Sequence, residues 1–229
     1  LRMTPAEQLE VGDKIAAVAK INVKPNTPRI ADMLDENSIA FIKKELREEI
    51  KKDLKVNHKT IKNACKELGI NYSRLTDPES FLKIKELRGL LRLYPGKGVE
   101  SSITAISHRG GHRLSISIDS VNEDFLYVLG LVASDGSLIR NEKRAIYRVD
   151  FSNKERELVD TYRKKISTIF PNITLREFLN KDGVIICRAD CKGYYDMATF
   201  FGLGNKDFKK VFQLPEDLVA AFLRGYFDG

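Results

Sequence analysis

The residues best able to do chemistry in this chain stand at the ends of two similar segments, VLGLVASDG at 128–136 and LRGYFDG at 223–229. In the first, Phe125, Leu126 and Leu129 supply an apolar face, and Gly130 and Ala133 are small residues one turn apart. Such a segment reads as a helix that a second helix backbone can approach closely. Asn122 is a fitting N-cap, and Glu123 and Asp124 sit where the helix dipole favours negative charge. Asp135 lies at the opposite end, where the dipole disfavours a carboxylate, and an unfavourable charge there invites a cation. A hard divalent ion, held by one or two carboxylates and phosphate oxygens, would supply it. Gly130 and Gly225 lie 95 residues apart, a spacing that suggests a duplicated half-domain. Asp-Gly after one helix is a common stop, and one helical glycine marks only close packing; two copies in a basic chain favour the chemical reading.

The elements that must position these residues follow in order from Ser120. The pattern predicts a helix over residues 123–134, a strand centred on AIYRVDF, and a second helix over KERELVDTYRKKISTIF up to Pro171. A hairpin, ITLREFLNKDGVIICRA, turns at Asp182-Gly183. A helix near 194–201 and a final helix beginning at Pro215 complete the series. The order α-β-β-α-β-β-α makes an α+β layer with one sheet.

Upstream, Ile39, Ile42, Leu46 and Ile50 recur at helical spacing and predict an amphipathic helix capped by Asn37 or Ser38. HKTIKNACKELGINYSRL then outlines a helix-turn-helix about Gly69, with Lys59, Lys62, Lys66 and Arg74 placed to meet phosphates. A small helical subdomain with a solvated basic face fits the same residues. Pro78 limits the second of these helices to a few residues. LYPGKGVE at 93–100 clusters Pro and Gly and forms the best internal boundary, and RLSISID alternates like a half-buried strand. The expected division is therefore a short β segment at 1–30, a helical subdomain at 31–95 and a third part at 96–229.

The chain has 229 residues, 42% hydrophobic and 31% charged, which fits an ordinary globular protein. It has no apolar run long enough to span a bilayer and no signal-peptide pattern, so no membrane association and an intracellular (cytoplasmic) location are expected. Three cysteines do not make a disulfide framework. Cys187 and Cys191 lack two further ligands for zinc and read as residues flanking a strand end. The net charge of +7 and pI near 9.2 favour polyanionic partners, because each neutralised phosphate releases counterions.

The two acidic segments resemble the paired motifs of LAGLIDADG (DOD-type) homing endonucleases, the second in the form frequent in inteins. The resemblance implies that Asp135 is the metal-binding catalytic carboxylate and that Gly130, Ala133, Gly136, Gly225 and Asp228 belong to the helix-packing motif, with Asp228 non-catalytic. The second metal-binding aspartate would fall one residue past Gly229. It further implies Mg²⁺, hydrolysis of double-stranded DNA by a metal-activated water, a saddle-shaped sheet against the duplex, and a monomeric pseudo-dimer as the complete parent. Arg148, Arg176, Lys181 and Arg188 are the candidate DNA contacts on the sheet, and Lys210 in KDFKKVFQLP the candidate lysine near the attacking water. PAEQLEVGDKIAAV, turning at Gly12-Asp13, is similar to a stretch of intein splicing domains. The splicing nucleophile and the terminal His-Asn are not at their places, so splicing is not expected of this chain. A cleavage-inactive DNA-binding or maturase-type protein, or an inert intein remnant, are the alternatives.

Overall fold

The computed structural model describes residues 26–58, 60–77, 79–93, 103–108, 112–118 and 120–229. The segment about Gly12 and Asp13, Lys59, Pro78 and residues 94–100 of the expected boundary lie outside the described residues.

The first part opens with a short helix, α1 (Ile30–Met33), and a strand, β1 (Ser38–Ile42). The long amphipathic helix, α2, covers Lys44–Asn57 and buries Leu46, Ile50 and Leu54. The helix expected from Ile39 onward is thus corrected: Ile39 and Ile42 belong to a strand, and neither Asn37 nor Ser38 caps a helix. Their spacing to Leu46 and Ile50 mimics a helical period by coincidence. The run SIAFI is central in its sheet and almost wholly buried, so it shows no alternation to betray it.

Two helices follow, α3 (Ile61–Glu67) and α4 (Tyr72–Thr76), joined through Gly69 at a φ of +65°. Thr60 accepts a hydrogen bond from the Asn63 amide and Asn71 from the Arg74 amide, capping each helix. Then come β2 (Leu82–Lys83), α5 (Ile84–Leu93), β3 (Ile103–His108) and β4 (Leu114–Ser115). The first sheet has the order β2-β1-β3-β4 and is antiparallel. It draws strands from both sides of the boundary expected at residue 95, with Ala40 opposite Ile106. A buried polar network ties the helices beneath it. Arg47 donates to the carbonyls of Arg74 and Ser80. The Glu86 carboxylate accepts from the Asn71 and Lys83 amides and from Arg74.

The second part follows the expected order: α6 (Glu123–Asp135), β5 (Gly136–Asn141), β6 (Ile146–Asn153), α7 (Arg156–Ile169), β7 (Leu175–Leu179), β8 (Ile185–Asp190) and α8 (Lys192–Phe200). A 3-10 helix over Phe208–Gln213 leads to α9 (Glu216–Asp228), with Pro215 at its N-cap. The second sheet has the order β5-β6-β8-β7, antiparallel throughout. Val149, Phe151, Cys187 and Ala189 point to one face, buried under α6 and α7, while Arg148, Asp150, Arg176 and Arg188 alternate onto the other. Over the described residues the chain is α+β with two antiparallel four-stranded sheets. Among the described residues no helix is long and apolar enough to cross a membrane.

The glycines divide by what surrounds them. A Cβ on Gly225 would lie 2.1 Å from the Tyr127 carbonyl oxygen, whereas on Gly89 in α5 it would meet nothing nearer than 4.0 Å. Gly225→Ala is therefore expected to lower unfolding free energy by at least about 2 kcal/mol. Gly89→Ala raises it by about 0.5–1 kcal/mol through helix propensity. Chemical denaturation of both variants checks the pair, and equal effects would exclude backbone contact as the reason.

Candidate active site

Helix α6 is apolar nearly all round because it lies between the second sheet and α9. Its buried residues include Phe125, Leu126, Val128, Leu129, Leu131 and Val132. The α6–α9 contact is backbone against backbone. A Cβ on Gly130 would lie 2.2 Å from the Phe222 carbonyl oxygen and 2.7 Å from the Tyr226 nitrogen. A Cβ on Gly225 would strike the Tyr127 carbonyl oxygen at 2.1 Å and lie 3.2 Å from the Leu131 nitrogen. Adding the 95-residue offset turns Tyr127 into Phe222 and Leu131 into Tyr226, so the two glycines meet equivalent atoms. The helices are thus related by a local two-fold and run parallel, with Gly229 against Ser134.

Their C-terminal ends consequently lie together. Asp135 is exposed on the last turn of α6, and its Oδ2 accepts a 2.9 Å hydrogen bond from Nδ2 of Asn153. Pairing of Gly136 with Phe151 brings Asn153 back beside the helix end. The same amide's Oδ1 accepts from the Glu155 backbone at 2.9 Å, which fixes its orientation at the start of α7. Gly136 is required by the approach of β6: a Cβ there would lie 2.6 Å from the Asp150 carbonyl oxygen. Ala133 is buried, and its 95-offset equivalent is Asp228. Asp228 accepts a 2.8 Å hydrogen bond from the Tyr127 hydroxyl across the helix pair. Burial first, and then this carboxylate, push the Tyr127 hydroxyl up to about 12.

The outer face of the second sheet carries the other candidates. Arg148 pairs with Asp190 at 2.8 Å. Arg188 grips the buried Asp150 through two nitrogens, at 3.0 and 2.8 Å, and its guanidinium lies 5.0 Å from the Phe178 ring centre. Arg176 and Lys181 have no carboxylate partner among the described residues. On this face Arg148 and Arg188 are therefore held by aspartates and Arg176 is not, while Lys181 lies in the turn between β7 and β8. Arg74 is occupied elsewhere: it pairs with the buried Glu86 at 3.2 Å and stacks over Phe81. Lys62 is exposed on α3, and Lys59 lies outside the described residues. The Lys210 ammonium sits 3.6 Å from the centre of the Phe200 ring, and no contact joins it to Asp135 among the described residues. Cys187 is buried in β8, where burial pushes its thiol up to about 11.

Asn153 and Tyr127, which hydrogen-bond the two motif aspartates, are positions that sequence reasoning misses. Asn153 stands between a strand and a helix, where asparagine reads as a turn residue; only the strand register reveals that it faces Asp135. Among the described residues no group of three or more acidic, histidine or cysteine side chains surrounds a common point.

No family model matches the chain. Over its whole length it is 28% identical, across 231 aligned residues, to a Methanopyrus kandleri protein named as a subunit of the A-type ATP synthase. It covers 22% of that protein. Across 110 residues, 47% of the chain, it is 24% identical to an uncharacterised protein of Methanocaldococcus jannaschii, 40% of which is covered. The chain therefore spans less than half the length of either relative, and neither name bears on the chemistry of the paired helix ends.

The Tyr127–Asp228 bond makes a distinct prediction. Tyr127→Phe should lose about 1 kcal/mol of stability, and Asp228→Asn less, because the asparagine oxygen still accepts the bond. Tyr127 is held protonated by the fold, so its contribution is complete below the ordinary value of 10.0 and is lost as pH rises from there toward about 12. Denaturation at pH 8 and pH 11 should show the difference between wild type and Tyr127→Phe shrinking. A constant difference would exclude the hydrogen bond as its source.

Proposed function

We propose that the chain is the DNA-cleaving part of a LAGLIDADG-type homing endonuclease carried by an intein, acting on double-stranded DNA with Mg²⁺. The observation that carries this reading is the reciprocal glycine contact of α6 and α9, which brings two equivalent helix ends together at the rim of a basic sheet. A carboxylate at a helix C-terminus is electrostatically unfavourable, and two parallel helices double the negative potential there. One oxygen of Asp135 is oriented by Asn153 and the other accepts no hydrogen bond among the described residues. An exposed, oriented carboxylate of this kind fits an ion that keeps water and phosphate oxygens for its remaining positions.

When bound, Mg²⁺ would supply charge neutralisation at the phosphate and a water of lowered pKa. The chain's own residues set the geometry. Asp135 would hold the ion at the helix end, and Asn153 would keep the carboxylate in one rotamer. Asp228, occupied by Tyr127, would steady the partner helix without touching the reacting atoms. Arg148 and Arg188, fixed by their carboxylates, would present their remaining N–H groups to base edges in the major groove. Arg176 and Lys181 would meet phosphates, adding salt-dependent affinity. Lys210 would need to leave the Phe200 ring to approach the attacking water, so it stands as the weakest member of the set.

The experiment is cleavage of an intein-free allele of the host gene by the full-length parent carrying Asp135→Asn. Activity should fall by at least about 100-fold, while stability stays level or rises by up to about 1 kcal/mol as the helix-end charge is removed. Undiminished cutting would sink the assignment. Asn153→Ala in the same parent should cost about 10–100-fold in activity or in the Mg²⁺ concentration needed for half-maximal rate, as the loss of a residue that orients a metal ligand does. An unchanged Mg²⁺ titration would remove Asn153 from the site.

A further inference from the structure

A groove of about 670 Å³ separates the end of the first sheet from the outer face of the second. One wall presents His112 and Arg113 beside β3 and β4, and the other presents Arg148 and Arg176 from β6 and β7. The two walls are fixed to each other. Asn172, after α7, donates to the Arg113 carbonyl at 2.6 Å and accepts from the Ser115 amide at 2.7 Å. The Ser117 amide donates to the Ile169 carbonyl at 3.0 Å. Gly193, at the start of α8, admits β3 closely, since a Cβ there would lie 2.4 Å from Cδ1 of Ile106. The width of the groove is therefore set by the Asn172 clamp, one backbone hydrogen bond and the close Gly193–Ile106 approach.

Among the described residues its charge is not balanced. Arg148 is paired with Asp190, Lys192 with Asp196 and Glu142 with Arg140. Arg113 and Arg176 have no carboxylate partner among the described residues, and they come from opposite walls. Arg113 lies 4.0 Å from the centre of the Phe41 ring, which restrains its guanidinium without neutralising it. Arg176 stands opposite Arg188 in the β7–β8 register. Like charges directly across a strand pair are destabilising, and of these two Arg188 has its charge met, by Asp150. Two arginines that line one groove without a carboxylate partner among the described residues suit an anion with oxygens on two sides.

The groove also has a defined place relative to Asp135. Strand β6 runs from Ile146, in the groove, to Asn153, which holds Asp135. Seven strand residues rise about 23 Å, the length of about 7 base pairs of duplex. We propose that the groove binds the phosphodiester backbone of DNA flanking the cleavage position, so that the first sheet forms a second DNA-contacting wall. This rests on reading the Asp135 end as the cleavage site.

The test measures binding of the 229-residue chain to a random-sequence duplex of about 30 base pairs over a range of salt. Arg113→Gln and Arg176→Gln should each lower the slope of log affinity against log salt by about one, and the double variant by about two. Lys52→Gln, on the exposed side of α2, should leave it unchanged. Wild-type slopes in the two arginine variants would overturn the proposal, as would an equal loss in Lys52→Gln. Inorganic phosphate at millimolar concentration should not compete at constant ionic strength; competition lost in Arg113→Gln would show a small-anion site instead. Melting temperatures of the variants, unchanged for exposed side chains, exclude a folding defect. Because Asp135→Asn should not alter these slopes, failure of the cleavage reading and failure of the groove remain distinguishable.

Discussion

The close approach of α6 and α9 is the constraint on which the remaining geometry depends. Two parallel helix dipoles side by side repel one another, so the pairing must be held by contact over its length. Gly130 and Gly225 permit that contact because neither has a Cβ to separate the backbones, and each faces the other helix's carbonyl and amide atoms. The large side chains that flank them, Phe125, Leu129 and Phe222, then bury their surface against the sheet and each other. The consequence appears one turn further on, where both helices end on carboxylates. Close packing in the middle thus creates concentrated negative potential at one rim.

That rim adjoins a sheet face whose charges are arranged in two ways. Arg148 and Arg188 are each locked to an aspartate on the neighbouring strand, which removes net charge but fixes the guanidinium plane. A guanidinium held in this way loses little entropy when its remaining N–H groups meet an acceptor. Arg176 and Lys181, without a carboxylate partner among the described residues, contribute the long-range attraction that locked pairs do not. The net charge of +7 therefore understates the division of labour, since pairing and position decide which cations are available to a ligand.

How much of this is legible in the sequence depends on how far apart the interacting residues lie. The Gly130 and Gly225 segments are legible because helical spacing is local and the 95-residue repeat is visible by inspection. The Asn122 cap, the Asp182-Gly183 turn and the order of elements after Ser120 rest on equally local signals, and the structure places them as expected. The first sheet is legible only in RLSISID, where β4 forms. Its central strand is a short apolar run in phase with the helix that follows, and periodicity alone cannot separate the two. Partners across strands are hidden for a related reason. That Arg188 meets Asp150, 38 residues away, follows only from the β6–β8 register. Asn153 facing Asp135 depends likewise on how the β5–β6 hairpin closes.

The helix-turn-helix outline shows how a local reading of sequence leaves open what its basic residues meet. Helices α3 and α4 form on either side of Gly69, each with its cap. Yet α4 has five residues, and its one arginine is consumed by Glu86, whose carboxylate also accepts two backbone amides. Releasing Arg74 to a phosphate would leave Glu86 buried with its charge less compensated, which burial penalises heavily. Arg74 therefore serves the core of the first part, while Lys62 is an exposed charge on α3. The sheet of the first part meets the second part at the Asn172 clamp and the Gly193 contact, and there Arg113 lines the groove. The polyanion contact proposed for the first part therefore runs through β3 and β4, where Arg113 lines the groove.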